Sequence, residues 1–257
     1  MTFKKHIVSL VFALFFMAGA MSQRNEIQGA LNIRNFTNAE YNGHNQVFSI
    51  TQDGRGIMYF GNKSGVLEYD GVSWRIIKVF NKKGDTREVN SLTTDKLGHV
   101  YVAAKEDLGV LLADKSGKMH FHSLKHHFPK IPDLKSPKKV LAGNAGVFYH
   151  YGGEVYQFVG DHFQTFHSVA GDEIYGLFQV NGKIFIARNK TGLYQLVNGK
   201  LKAAMNGARY NSENKIYSIL NFSNGTYIQT SEGQIDKYTS EGSIIPVELS
   251  YFKQTYN

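Results

Sequence analysis

The chain has 257 residues, 42% hydrophobic, 13% aromatic and 19% charged, with 26 glycines and no cysteine. This mixture excludes disorder, and the lack of thiols excludes disulfides, thiolate metal sites and cysteine nucleophiles. The formal charge is +8, with a pI near 9.4, so an anionic partner has to be considered.

The first element is an export signal. Lys4, Lys5 and His6 form a basic start, Ile7 to Met17 is apolar, and Ala18-Gly19-Ala20 supplies small residues for cleavage. A run this short is expected to be a secretory signal over residues 1–22 rather than a span. No later stretch approaches 18 apolar residues, so residues 23–257 are expected to form one exported domain. An exported chain of this size without cysteine fits a bacterial envelope.

From residue 46 onward one pattern recurs five times. Its clearest copy, VFSITQDGRGIMYFGNKSGVLEYDGVSWRIIKV (47–79), alternates short apolar strands with Asp-Gly and Gly-bearing turns. The residues ending each third strand are Tyr69, Ala113, Phe158, Leu196 and Tyr238, spaced 44, 45, 38 and 42 apart. The turns before the third strands carry Gly65, Gly109, Gly153, Gly192 and Gly233, where a positive φ is expected. Asp53-Gly54, Asn181-Gly182 and Asn224-Gly225 mark hairpins between first and second strands; Asp70-Gly71 and Asn198-Gly199 mark those between third and fourth. A fixed period of about 42 residues carrying four strands per unit predicts an all-β fold, a β-propeller of four-stranded antiparallel blades. The blades are expected at about 46–80, 89–124, 139–168, 173–206 and 215–249.

Five copies leave ring closure open. Ala30 to Phe36 alternates enough to lend a strand to the last blade, whereas Ser250 to Asn257 reads as the start of something cut short. An incomplete ring exposes blade edges, which predicts a homodimer or aggregation.

Residues 35–77 resemble the opening of the two-component regulator propeller proteins, large extracytoplasmic sensors of Bacteroidetes-type bacteria. The likeness rests on Tyr41, His44-Asn45-Gln46, Gln52-Asp53 with Gly56, Met58 to Asn62, Gly65, Tyr69-Asp70-Gly71 and Trp74-Arg75. It implies a periplasmic sensing module, followed in such proteins by a triple-tyrosine domain, a membrane helix and a histidine kinase or helix-turn-helix regulator. The kinase H-box, nucleotide-binding glycines and DNA-reading helix have no counterpart in this sequence. The chain is therefore expected to sense without an output of its own, and to meet the membrane only through such later parts.

The residues themselves offer no catalytic set. The acids sit mostly in turns, at Asp53, Asp70, Asp95, Asp114 and Asp161, where carboxylates bind their own backbone. No pair suits glycoside hydrolysis. His120 and His122, with His126 and His127 beyond them, are expected on an outer strand and loop rather than at a metal, and no cofactor is expected. Trp74 is expected in packing between blades.

Sorting the turns by face does point to binding. Turns between second and third strands share one face with the links between blades. That face gathers Lys63, Lys105, Arg188 and Lys190, joined in the links by Lys82, Lys83, Arg87, Lys125, Lys130, Lys135, Lys138, Arg209 and Lys215; together these outnumber the nine acids placed there. The other face is richer in aspartate. The four turn residues are thus candidate ligand contacts for an anionic ligand such as an acidic oligosaccharide. Nucleic acid is not an expected partner, because export removes the chain from it and no aromatic platforms interleave with the basic residues. Three function classes stay open: a ligand sensor of a two-component system, a stand-alone exported binding or scaffold protein, and a polysaccharide-active enzyme.

Overall fold

A computed structural model describes residues 33–135, 137–239 and 241–247. The signal at 1–22 and the tail from Ser250 lie outside the described residues, as do residues 30–32 of the 30–36 stretch. The described residues fall into two units, 33–36 and those from Thr37 onward. In the first, residues 33–36 carry no strand, and the Arg34 guanidinium stands 4.5 Å from the Phe36 ring.

The second unit contains five four-stranded antiparallel sheets, each in simple up-and-down order. Blade 1 is β1 (Val47–Gln52), β2 (Met58–Asn62), β3 (Gly65–Tyr69) and β4 (Trp74–Ile77). Blade 2 is β5 (Val89–Thr94), β6 (Val100–Ala104), β7 (Asp107–Ala113) and β8 (Met119–Ser123). Blade 3 is β9 (Pro137–Gly143), β10 (Gly146–Tyr151), β11 (Glu154–Val159) and β12 (His162–Phe166). Blade 4 is β13 (Ile174–Val180), β14 (Lys183–Arg188), β15 (Gly192–Val197) and β16 (Lys200–Ala203). Blade 5 is β17 (Ile216–Phe222), β18 (Gly225–Thr230), β19 (Ile235–Tyr238) and β20 (Ile244–Pro246).

Strand alternation places one face of each blade on the next, so the core is divided among the blade boundaries. Tyr59, Val66 and Ile77 meet Val89, Val100 and Val102 between blades 1 and 2. Leu108 and Val110 meet Val140, Tyr149 and Tyr151 between blades 2 and 3. Phe148 and Val155 meet Leu177 and Ile186 between blades 3 and 4. Phe185 and Leu193 meet Ile228 and Tyr238 between blades 4 and 5. Polar ties cross the same boundaries. Thr51 and Thr94 share a 2.8 Å hydroxyl contact, while Tyr149 donates to Gly109 O at 2.9 Å and Tyr151 to Asp107 O at 2.6 Å.

Three sequence expectations need correction. Gly109 lies within β7 rather than in a turn; that turn is Lys105-Glu106, with Glu106 at φ 65°. Gly109 is required by packing, since a Cβ there would fall 2.2 Å from His122 O. In blade 3, Gly152 carries the positive φ rather than Gly153. Among the described residues, the ring contacts of Trp74 lie on its own blade and the helix beside it. It stacks on Tyr69 (4.5 Å) and meets Phe60 and Tyr41, the last from a short helix α1 (Asn38–Tyr41) that covers the outer side of blade 1.

The outermost inner strands remain bare. Ile50 on β1 is 58% exposed, and Tyr217 and Phe222 on β17 are 75% and 59% exposed. The corresponding strands β5 and β13 are largely buried.

Candidate ligand-binding faces

Strand order fixes two ends for the blades. Turns between second and third strands lie with the blade links at one end; the other two sets of turns lie at the opposite end. Lys63, Lys105 and Lys190 are exposed in their turns at the link end. Lys63 and Lys105 sit on blades 1 and 2, whereas Arg188 and Lys190 share blade 4. The four are therefore divided among three blades, and the Gly152-Gly153 turn of blade 3 carries no charge.

Arg188 is committed to structure. Its side chain is only 13% exposed and lies 3.9 Å from Asp172. It also donates to His167 O at 3.0 Å and lies 5.8 Å from the Tyr194 ring centre. Asp172 in turn accepts from the Lys190 and Thr191 backbone N–H groups, which locks that turn to the preceding link and holds its carboxyl below the usual range against the cost of burial. Asn62, fully buried, does the same in blade 1 by donating to His44 O and Gln46 O and accepting from His44 N–H. Other cations at this end have acidic neighbours: Lys125 with Asp107 (3.0 Å), Arg87 with Glu106 (2.9 Å) and Arg209 with Asp236 (3.4 Å).

A second basic group stands at or beside the starts of the first strands of blades 3 and 5. Burial pulls the Lys138 ammonium below its ordinary value, Glu173 opposes that shift and Lys215 reinforces it, so the three lie within electrostatic reach across blades 3, 4 and 5. Lys215 stands 5.3 Å from the Tyr175 ring and Lys139 5.5 Å from Phe178. Sequence sorting put Lys138 and Lys215 on this face but could not show that they converge. Strand-start position in successive repeats was the available signal.

Three clefts among the described residues lie at the opposite end. A cleft of about 420 Å³ spans blades 2, 3 and 4, lined by Thr93, Thr94, Asp95, Lys96, Asn144, Gln179 and Asn181 among others. A neighbour of about 540 Å³ lies between blades 4 and 5, and one of about 500 Å³ between blades 1 and 2. At the link end a cleft of about 350 Å³ lies against Arg209 and Asp236. The turn carboxylates behave as expected of such positions. Asp53 accepts from the Arg55 and Ile57 backbone, the Arg55 guanidinium and Tyr59 OH. Asp95 repeats this with Leu97, His99 and Tyr101. Burial and the neighbouring carboxylate raise both tyrosines to about 12.

The histidines are spread through packing roles. His120 reaches Asp114 at 2.9 Å on the outer strand of blade 2. His127 contacts Asp161 O at 2.6 Å and packs on Phe158, so the 125–127 turn lies over blade 3. Tyr156, Glu154 and His167 form a chain in which the phenol donates to Glu154 Oε2 at 2.5 Å and His167 Nδ1 lies 2.8 Å from Oε1. Tyr156 is buried and its phenol is pushed far above the ordinary range, which keeps it a fixed donor rather than a proton shuttle.

Neither a protein-family model nor a curated protein matches the sequence. Solved structures do. The extracellular domain of BT4673, a hybrid two-component system of Bacteroides thetaiotaomicron, matches 79% of this chain at 17% identity and a TM-score of 0.56. That of BT3049, from the same organism, matches 82% at 17% identity and the same TM-score. The chain is a β-propeller. A catalytically inactive virginiamycin B lyase from Staphylococcus aureus, solved with quinupristin, matches 84% of it at 14% identity and a TM-score of 0.57. The propeller spans 28% and 31% of the two sensor-domain chains and 73% of the lyase chain. Sensors and an enzyme thus share this architecture, and the sites have to decide between them.

Proposed function

We propose that this propeller is the ligand-sensing part of an exported receptor of the two-component regulator type, and that its ligand is carbohydrate-derived. The observation that carries this reading is the joint likeness. The opening blade carries the family's residues, and the five blades follow the extracellular domains of two sensors over about four-fifths of the chain. The basic starting segment, at Lys4, Lys5 and His6, supports export. No helix among the described residues is long and apolar enough to cross a membrane.

Binding is favoured over catalysis by what the titratable groups do. Asp53, Asp95 and Asp172 spend their oxygens on backbone and neighbouring donors, and the Tyr156–Glu154–His167 chain is closed on itself. A general acid or base needs a free reach toward substrate. The convergence of Lys138 and Lys215 at the link end favours a second reading, an anionic ligand held there with Lys63, Lys105 and Lys190 on the rim.

A thermal-shift screen of the full chain with neutral and acidic oligosaccharides, combined with product analysis, tests the proposal. A saturable rise in melting temperature without new products is expected. Cleavage of any glycan would favour the polysaccharide-active enzyme instead. A sequence neighbourhood lacking any kinase or regulator segment would favour the stand-alone binding protein.

A further inference from the structure

The boundaries between blades repeat one arrangement. The first two strands of every blade pair in the same register, with an irregularity just after the first residue of β1, β5, β9, β13 and β17, so positions compare directly. The forward face of a blade carries the equivalents of Thr51 and Tyr59 and meets the next blade. The backward face carries the equivalents of Val47, Ile50 and Phe60 and meets the preceding blade.

Two such faces have no blade against them among the described residues: the backward face of blade 1 and the forward face of blade 5. Ile50 is 58% exposed, whereas Leu92 at the same position of blade 2 is 6% exposed and packs on blade 1. Phe222 is 59% exposed, whereas its blade 4 counterpart Val180 is 1% exposed and packs on blade 5. Leu220 and Tyr227 stand where Phe178 and Phe185 fill that boundary. Helix α1 reaches the outer strands of blade 1, through Tyr41 on Trp74, and leaves β1 bare.

Blade 5 also carries the polar side chains that tie one blade to the next. Ser49 accepts from Leu92 N–H and Ser91 from Val140 N–H, both at 3.0 Å. That position is Lys139 in blade 3 and Gly176 in blade 4, and it returns to serine at Ser218. One residue earlier, Tyr175 OH accepts from Ile216 N–H at 3.1 Å across the boundary of blades 4 and 5, and its counterpart Tyr217 is 75% exposed. On blade 1 the N–H groups matching these partners belong to Ile50, for Ser218, and to Val47, for Tyr217.

The two open faces are the two halves of one kind of boundary. The terminal stretches 1–32 and 248–257 are each shorter than the roughly 42 residues of a blade, so neither supplies both halves; a second copy does. We infer that copies of this chain dock head to tail, with the forward face of blade 5 in one packing on the backward face of blade 1 in the next. The contact is heterologous. Leu220, Phe222 and Tyr227 meet Val47, Ile50 and Phe60, while Ser218 and Tyr217 receive the Ile50 and Val47 N–H groups. It is independent of what the propeller binds.

Sedimentation of the full chain, of Ile50→Asp, of Phe222→Asp and of the two variants mixed tests this. Both side chains are exposed in the single copy, so the melting temperature should stay unchanged; Val47→Asp and Leu220→Asp form a second pair. The wild type should self-associate. Each variant loses one face and should raise the dissociation constant about a hundredfold, because a carboxylate is buried without a partner. Mixed in equal amounts, the two should form a one-to-one dimer, since Ile50→Asp keeps its blade 5 face and Phe222→Asp its blade 1 face. A monomeric wild type, a variant that still associates alone, or mixtures of both pairs that stay monomeric would overturn the inference.

Discussion

His150 shows how a single residue can be placed correctly and still hold something the sequence cannot reveal. Its position between Tyr149 and Tyr151 marks it as blade packing, and the structure agrees: the two tyrosines face blade 2 and His150 is 1% exposed. What sequence could not give is its isolation. Nε2 has no hydrogen-bond partner in its buried setting. Burial lowers its pKa to about 4, with Lys138 and Lys139 adding to the shift and the backbone at Ile174 and Gly152 opposing it. The unfolded chain binds a proton here near the ordinary value of about 6.5, the folded chain only near 4. Stability should therefore fall as pH drops through that window, by an amount on the order of 3 kcal/mol. Urea unfolding at pH 7 and pH 4.5 should show the loss, and His150→Leu should remove most of it. An unchanged pH slope in that variant would assign the loss to the carboxylates instead. The candidate lysines illustrate the same limit. Face and turn were readable for Lys63, Lys105, Arg188 and Lys190, but the partners that immobilise Arg188 come from a link whose path only the fold reveals.

At the scale of elements, turn chemistry carried almost everything. β3, β7 and β19 end at the anchors Tyr69, Ala113 and Tyr238, and β11 and β15 run one residue beyond theirs. Asp-Gly and Asn-Gly pairs fix hairpins through local φ preferences, and local preferences can be read from local sequence. Contacts between blades cannot. Gly61 carries no turn and no positive φ, yet a Cβ there would lie 2.8 Å from Val89 O on the neighbouring blade. Gly61→Ala should push blades 1 and 2 apart and destabilise the protein by about 1–3 kcal/mol, the usual range for overpacking. Chemical denaturation checks the value, and hydrogen exchange should place the loosening on β1, β2 and β5. The short helix α1 was missed for a related reason: four residues give no periodicity to detect, and its role lies in Tyr41 reaching Trp74.

On the scale of the molecule, five blades stack in sequence and the boundaries between them hold the core. The expectation of exposed blade edges has a physical basis in β1 and β17, where Val47, Phe48, Ile50, Leu220 and Phe222 meet water. Apolar strands in that state favour association. Sedimentation of the full chain should show concentration-dependent self-association, weakened by Phe222→Ser; a strictly monomeric profile at high concentration would mean that these strands are covered in solution. The division of charge between the two ends has a consequence of the same scale. Repeated turns place different chemistry at opposite ends of the blades. The sequence showed that two faces exist, and only the folded arrangement placed a cleft lined by Asn144, Gln179, Asn181 and Lys96 at the hairpin end of blades 2, 3 and 4. The most direct test of the sensing account is amide chemical-shift mapping of the isotopically labelled chain during titration with neutral and acidic oligosaccharides. Saturable shifts confined to the turns at one end of the blades are predicted. The absence of any saturable shift would contradict the account.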